Sequence, residues 1–374
     1  MRKIRILVVD DSVVVRRMVT SVLSEDPLLE IAGVAANGRI ALSKVPQVNP
    51  DIIILDVEMP ELNGLETLAE LRKTYMLLPV IMYSTLTTRG AEATLDALTL
   101  GATDYVTKPS NVGNAAQGME CIRTELIPKI KAICSRTAGL ELSLANMPPP
   151  RAKQAQERKA PVSPRADRVD ILAIGVSTGG PNALAELLPA LPENFPVPIV
   201  IVQHMPPIFT RLLAERLSAQ SQVKVDEGAP ARTLEPAEAW VAPGDYHMVV
   251  ARDGPSVRLH TYQGPPENSC RPAVDVLFRS VAEIYQSHAL AVVMTGMGQD
   301  GFRGSERIKD AGGQVLAQDE ATSVVWGMPG FVANAGLADK VLPLVELAPE
   351  ICRRVRVGRE VSVAPALASN SIKN

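Results

Sequence analysis

Five apolar runs near the N-terminus, RILVVD (5–10), EIAGVA (30–35), DIIILD (51–56), PVIMYS (79–84) and TDYVTK (103–108), have the length and β-branched content of buried strands. Amphipathic segments lie between and after them, near 12–24, 38–47, 64–73, 89–99 and 115–134. Strands that alternate with helices in this way define a doubly wound parallel sheet. The alternation stops at about residue 135. Residues 135–168 carry proline, charge and alanine with no sustained apolar period, which reads as a linker. From 169 strand-like runs return as DILAIGV, PVPIVIVQH, AWVAPG, HMVVAR, SVRLHT, ALAVVMTG and GQVLAQ, with helical segments near 180–190, 207–220, 273–287 and 300–311. A second α/β domain, mostly parallel and with a hairpin within 238–262, is expected over 169–358, followed by a flexible tail at 359–374.

Composition narrows the function classes. The 374 residues suit two domains, and 46% hydrophobic content suits packed cores. Charges nearly cancel, 38 basic against 41 acidic, and aromatic residues are 3%, so neither a basic nor a base-stacking surface for nucleic acid is expected. Four cysteines, Cys121, Cys134, Cys270 and Cys352, form no C-x-x-C pair, which argues against a disulfide framework and fits a reducing cytoplasm. The apolar run ILVV after MRKIR is too short for a signal peptide, and no stretch reaches the roughly 20 apolar residues of a membrane helix. A soluble, cytoplasmic protein that is not membrane-inserted is expected.

In open parallel sheets, ligands sit outside the carboxyl ends of the strands. Asp10 and Asp11 close the first strand, Asp56 the third and Ser84 the fourth, while Lys108 follows the fifth. Three crowded carboxylates call for a cation, and Mg²⁺ takes oxygen ligands of this kind. With a lysine and a hydroxyl beside them, the set points to phosphoryl transfer onto Asp56. Any one aspartate has an ordinary reading as a turn or cap residue. Their joint placement does not.

These residues lie in ILVVDDS, ILDVEMPELNGLE and DYVTKP, which resemble the receiver domain of two-component response regulators over nearly all of 1–125, with a helical extension to about 134. The resemblance implies a flavodoxin-like (βα)5 fold, with Asp56 as phospho-acceptor and Asp10 and Asp11 helping to hold Mg²⁺. It further implies that Lys108 pairs with the acyl phosphate, Ser84 is the switch hydroxyl and Tyr105 is the switch aromatic. Ser84 stands where threonine is common, and keeps the hydroxyl.

At 173–184 the sequence AIGVSTGGPNAL joins a strand-like run to a helical one. It lacks the lysine of a phosphate loop and the spacing of a dinucleotide fingerprint, but Gly175, Ser177 and Gly179 form G-x-S-x-G, a turn that can present a nucleophile. A serine nucleophile needs a base and a carboxylate to orient it. Of four histidines, His204 closes a strand on the same edge as Ser177, whereas His247 and His288 precede their strands and His260 lies in the expected hairpin. Asp300 follows ALAVVMTGMGQ, again just past a carboxyl end. The backbone N–H groups after Ser177, at Thr178, and in the turn around Met297 are candidate oxyanion donors. The order Ser…His…Asp departs from that of α/β-hydrolases; the alternative set Ser177, Asp226 and His247 is poorly placed.

GVSTGGP, VIVQHMPPIFT, CRPAVDVLF and VMTGMGQDG resemble the catalytic domain of the chemotaxis protein-glutamate methylesterases, and with the receiver ahead of it the resemblance runs from residue 4 to about 355. It implies hydrolysis of glutamate methyl esters on methyl-accepting chemotaxis receptors, releasing methanol, and deamidation of receptor glutamines, with no cofactor for the hydrolysis. A chemotaxis histidine kinase is the implied phosphodonor. Arg271, in CRPAVD, is a candidate for meeting acidic side chains that flank the ester, with a surface salt bridge as the other reading. The unphosphorylated receiver is expected to pack over the Ser177 rim. Two alternatives stay open at this level: a non-catalytic phospho-switched scaffold, and a methylesterase serving a non-motility signalling array.

Overall fold

The structure, a computed structural model, describes residues 2–108, 115–135 and 168–359. The expected linker and tail fall almost wholly outside the described residues. The first unit contains β1 (Ile4–Val9), α1 (Val13–Ser24), β2 (Leu29–Ala35), α2 (Gly38–Val48), β3 (Ile52–Asp56), α3 (Gly64–Thr74), β4 (Val80–Thr85), α4 (Thr88–Thr99) and β5 (Asp104–Lys108). A helix follows as α5 (Ala115–Cys121), a π-helical turn (Ile122–Leu126) and α6 (Ile127–Cys134). The strand order β2-β1-β3-β4-β5 is flavodoxin-like, and every pairing is parallel.

Local chemistry sets where the helices start. Ser12, Asn37 and Thr87 each accept a hydrogen bond from a first-turn amide, and Asn63 and Glu66 form a reciprocal capping box. Each cap satisfies helix N–H groups otherwise without partners, and Ser12 and Thr87 come within three residues of the pocket residues Asp10, Asp11 and Ser84. The caps at Ser12 and Thr87 thus fix helix starts immediately beside the rim.

The second unit has a seven-stranded sheet in the order β14-β13-β12-β6-β7-β9-β8. Its strands are β6 (Ile171–Val176), β7 (Ile199–Gln203), β8 (Lys224–Glu227), β9 (Glu238–Val241), β12 (Ala289–Val293), β13 (Gln314–Gln318) and β14 (Lys340–Leu342). Helices α7 (Gly180–Leu187), α8 (Phe209–Gln220) and α12 (Leu344–Arg356) cover one face. The other is covered by α9 (Val274–Tyr285), α10 (Phe302–Asp310) and α11 (Met328–Asn334).

This sheet is wholly parallel, and the hairpin β10 (His247–Asp253) with β11 (Ser256–Tyr262) stands apart as a two-stranded sheet. The expected hairpin therefore begins later than 238, because β9 pairs with β7 and β8 instead. Edge strands β8 and β14 escape a reading based on apolar runs, being short and partly charged. Helices α11 and α12 carry Pro329 and Pro349, which interrupt the helical pattern in the sequence.

The two units pack together. Helix α4 lies on α7 and α8, and the apolar cluster beneath it runs without interruption from the first sheet to the second. Asn182 Nδ2 donates to the Ala102 carbonyl at 3.1 Å, and Arg216 reaches Asp96 and Thr99.

Candidate active site

Strands β12, β6 and β7 are neighbours; the chain runs from β6 to β7 on one side and later returns to β12 on the other, so the strand order reverses at β6. Ser177 follows β6, His204 follows β7 and Asp300 lies between β12 and α10. One rim therefore receives all three, at the point where the strand order reverses. The Asp300 carboxylate accepts from His204 Nε2 at 2.8 Å. The His204 amide donates to the Val176 carbonyl at 3.3 Å, which brings its backbone alongside that of the nucleophile strand.

Asp300 is 2% exposed, and burial alone would push its pKa up. Five donors reverse that. Oδ2 takes Val274 N–H at 2.6 Å as well as His204, and Oδ1 takes Asp275 N–H, Asn268 Nδ2 and Gly301 N–H at 2.9, 2.9 and 3.0 Å. Two of these are the first amides of α9, so the helix terminus also favours the charge. The carboxyl is held below its ordinary range. His204 moves the other way: burial pushes it down, but the bond to Asp300, the nearby Cys270 and the Asp300 charge outweigh burial and raise it.

With Nε2 engaged, Nδ1 is the nitrogen that faces away from Asp300. Cys270 Sγ lies 3.5 Å from it. The Ser177 hydroxyl makes no hydrogen bond among the described residues, and the Ser177 amide is already used on the Thr295 carbonyl at 3.0 Å. By contrast, the N–H groups of Thr178 and Met297 donate to no acceptor among the described residues. Gln203, buried under this corner, donates from Nε2 to the carbonyls of both Ser177 (3.0 Å) and His204 (3.3 Å).

The remaining candidates sort clearly. Arg271 is committed to Asp245, with Nε at 3.0 Å, and to the Gly264 carbonyl at 2.6 Å, so its guanidinium already has a counter-charge. Asp226 pairs with Lys224 on edge strand β8, and His247 bonds the Pro265 carbonyl in the separate hairpin; neither joins Ser177. Asn268, Cys270, Asp275 and Gln203 were not expected. Their only signal in the sequence is the short polar stretch ENSC before CRPAVD and a glutamine preceding His204.

In the first unit, oxygens of Asp10, Asp11 and Asp56 lie within 4.8 Å of one another. Lys108 Nζ is 2.8 Å from Asp10 and 2.7 Å from Asp56. Burial raises the Asp56 carboxyl to about 6, with Asp10 adding to the rise and Lys108 opposing it. The donor set is oxygen only, as a hard divalent cation requires. Ser84 Oγ donates to the Gly90 carbonyl at 3.0 Å, so the hydroxyl is turned toward α4. Tyr105 is buried, its ring stacked on Phe209 of the second unit. Met297 helps line a cleft of about 620 Å³ with Val22, Glu25, Arg123, Pro128 and Lys131, so the receiver faces the turn that carries a candidate oxyanion donor across this cleft.

A flavodoxin-like phospho-acceptor unit docked on a serine–histidine–aspartate α/β unit defines a response regulator with a hydrolase as its output. Comparisons with known proteins give the family. Residues 6–118 match the response regulator receiver domain, and residues 172–351 match the CheB methylesterase family. A protein-glutamate methylesterase/protein-glutamine glutaminase of Trichodesmium erythraeum is 58% identical over 95% of this chain and all of its own length, and one from a Nocardioides strain is 51% identical over 97% and 98%. The crystal structure of the Thermotoga maritima CheB methylesterase catalytic domain is 43% identical, covers 50% of this chain and 98% of its own, and superimposes with a TM-score of 0.49. The chain belongs to the protein-glutamate methylesterase/protein-glutamine glutaminase family, and is a methylesterase that carries a receiver domain. No helix among the described residues is long and apolar enough to cross a membrane.

Proposed function

We propose that this enzyme hydrolyses γ-glutamyl methyl esters on methyl-accepting chemotaxis receptors through Ser177, His204 and Asp300. The observation that carries the reading is the delivery of the three residues to one rim by adjacent strands, with His204 and Asp300 hydrogen-bonded at 2.8 Å. Ser177 Oγ attacks the ester carbonyl while Nδ1 of His204 takes its proton, and Asp300 stabilises the imidazolium. The free N–H groups of Thr178 and Met297 receive the oxyanion. Methanol leaves with the proton from His204. Water then attacks the acyl-serine with His204 again as base, releasing glutamate and the Ser177 hydroxyl. The same sequence on a glutamine side chain releases ammonia. Every step uses side chains and backbone amides, so the hydrolysis requires no cofactor.

The receiver supplies control, with a chemotaxis histidine kinase as phosphodonor. Asp10, Asp11 and Asp56 would hold Mg²⁺, which neutralises charge during phosphoryl transfer to Asp56. Lys108 pairs with the acyl phosphate. Ser84 then turns from Gly90 toward it, Tyr105 repacks, and the docked face loosens. In the resting arrangement the receiver covers one side of the Ser177 rim, which obstructs a bulky helical receptor, and the receptor side chains are met at the cytoplasmic face of the membrane. A fragment spanning 168–359 should demethylate receptors faster than the unphosphorylated full chain; equal rates would show that docking does not obstruct the site.

A further inference from the structure

The two-residue turn between Glu267 and Cys270 touches the triad at two points. Asn268 and Ser269 both have left-handed backbones, φ 52° and 62°, and Glu267 and Cys270 exchange hydrogen bonds at 3.0 and 2.9 Å. This is the geometry of a tight two-residue reversal, and asparagine is among the few non-glycine residues at home in it. The turn is tied down by Arg279 of α9, which grips both carboxylate oxygens of Glu267 at 2.5 and 2.7 Å. The same helix offers its first amides to Asp300. From the turn, Cys270 Sγ reaches His204 Nδ1, and Asn268 Nδ2 reaches Asp300 Oδ1 at 2.9 Å.

Asn268 also solves an electrostatic problem. Asp275 is as buried as Asp300 and lies beside it, so two carboxylates share a dry corner. The Asn268 amide has two hydrogens, and Nδ2 lies 2.9 Å from an oxygen of each carboxylate. It bridges them and takes part of both charges. Without it, Asp300 loses one of its five donors on the side facing its like-charged neighbour, and the orientation of the carboxylate that holds the imidazole is no longer fixed.

We propose that Asn268 is a positioning residue of the esterase: it acts through Asp300 to set the orientation of His204, with the turn Glu267–Cys270 as the arm that carries it. This rests on the triad reading given above. Asn268 is itself exposed, so a change there does not open the core.

The test compares methanol release from methylated receptor fragments by phosphodonor-activated full-length variants, with Tm and the far-downfield NMR resonance of the His204–Asp300 proton recorded alongside. Asn268→Gly keeps the left-handed turn and deletes only the amide. It should lower kcat about 10- to 100-fold, the range for a lost hydrogen bond to a charge, leave KM within about twofold by the same reasoning, and shift or broaden the imidazole resonance. Asn268→Asp also tolerates the turn but replaces the donor by an acceptor, and should lower kcat at least as far. Ser269→Gly, in the same turn without contact to the triad, should leave kcat and the resonance unchanged. Full kcat and an unshifted resonance in either Asn268 variant, with Ser177→Ala inactive, would overturn the positioning role alone. Activity retained by Ser177→Ala would instead overturn the triad, and this inference with it.

Discussion

The rings of Tyr105 and Phe209 lie parallel, 5° apart in plane with centroids 4.9 Å apart, and they join the two halves of the molecule. Tyr105 belongs to β5, the strand that ends in Lys108 of the phospho-acceptor pocket. Phe209 opens α8, on the segment that follows His204. Both side chains are buried, so the receiver cannot repack its aromatic without disturbing the start of α8, just after His204. On the proposed roles of Asp56 and Ser177, this stack is the physical link between the two sites. An aromatic pair of this kind adds about 0.5–1.5 kcal/mol beyond its area burial, a contact modest enough to be broken and remade.

Arg216 fastens the same interface at its edge. It pairs with Asp96 and donates to Thr99 Oγ1 at 2.9 Å, and Asp96 is half exposed. A partly exposed pair contributes at most about 1 kcal/mol. Arg216→Ala should therefore raise methanol release without phosphodonor by up to about fivefold, leave release with phosphodonor unchanged, and alter Tm little. Unchanged basal release would show that this pair does not hold the resting state.

The nucleophile corner tolerates no added methyl at Gly180. A Cβ there would stand 2.0 Å from Gln203 Oε1, the amide whose other end bonds the carbonyls of Ser177 and His204. Gly180→Ala should cost about 1–3 kcal/mol as overpacking. Because Gln203 must move, kcat should fall tenfold or more on the order expected when a positioning contact slips. A variant as active as wild type, measured well below its Tm, would contradict the role given to Gln203.

His204 must be neutral to accept a proton, and its partners raise its pKa above the ordinary 6.5. The acidic limb of kcat/KM should lie above that value. Asp300→Asn should move the limb downward while greatly reducing the rate, because the imidazolium loses its counter-charge. For stability the sign is fixed as well: the paired imidazolium stabilises the fold fully below pH 6.5, and this is lost as pH rises through the raised folded value. A limb below 6.5 in the wild type would contradict the pairing.

Asp275 titrates in the opposite sense to an ordinary salt-bridged carboxylate. Burial first, and the Asp300 charge second, raise it from 3.8 to about 6. Its protonated form is favoured in the fold, so its contribution is fully present below pH 3.8 and is lost as pH rises through about 6. The stability of the wild type relative to Asp275→Asn should fall by about 2 kcal/mol between pH 4 and pH 8. Denaturant melts of both proteins at the two pH values measure this directly. A difference independent of pH would mean that Asp275 is charged throughout.

Much of this was legible in the residues because parallel sheets place their chemistry at strand ends. Once RILVVD, DIIILD and TDYVTK are strands, Asp10, Asp56 and Lys108 must share an edge, and the same logic brings Ser177, His204 and Asp300 together. The logic fails for groups that arrive from elsewhere. Asn268 and Cys270 come from a turn whose placement depends on Arg279 and α9, and Gln203 works from beneath the sheet edge. Strands β8 and β14 were illegible because short, partly charged edge strands leave no apolar run. The stacking of Tyr105 on Phe209 depends on how the two units meet, and nothing in either local pattern encodes that.

The most direct measurement is methanol release from methylated receptor fragments by the wild type and Ser177→Ala, each with and without a small phosphodonor. Release should vanish in the variant under both conditions, and should rise with the donor in the wild type. Release that persists in Ser177→Ala, or none from the wild type on receptors that a known esterase demethylates, would contradict a phosphorylation-switched serine esterase.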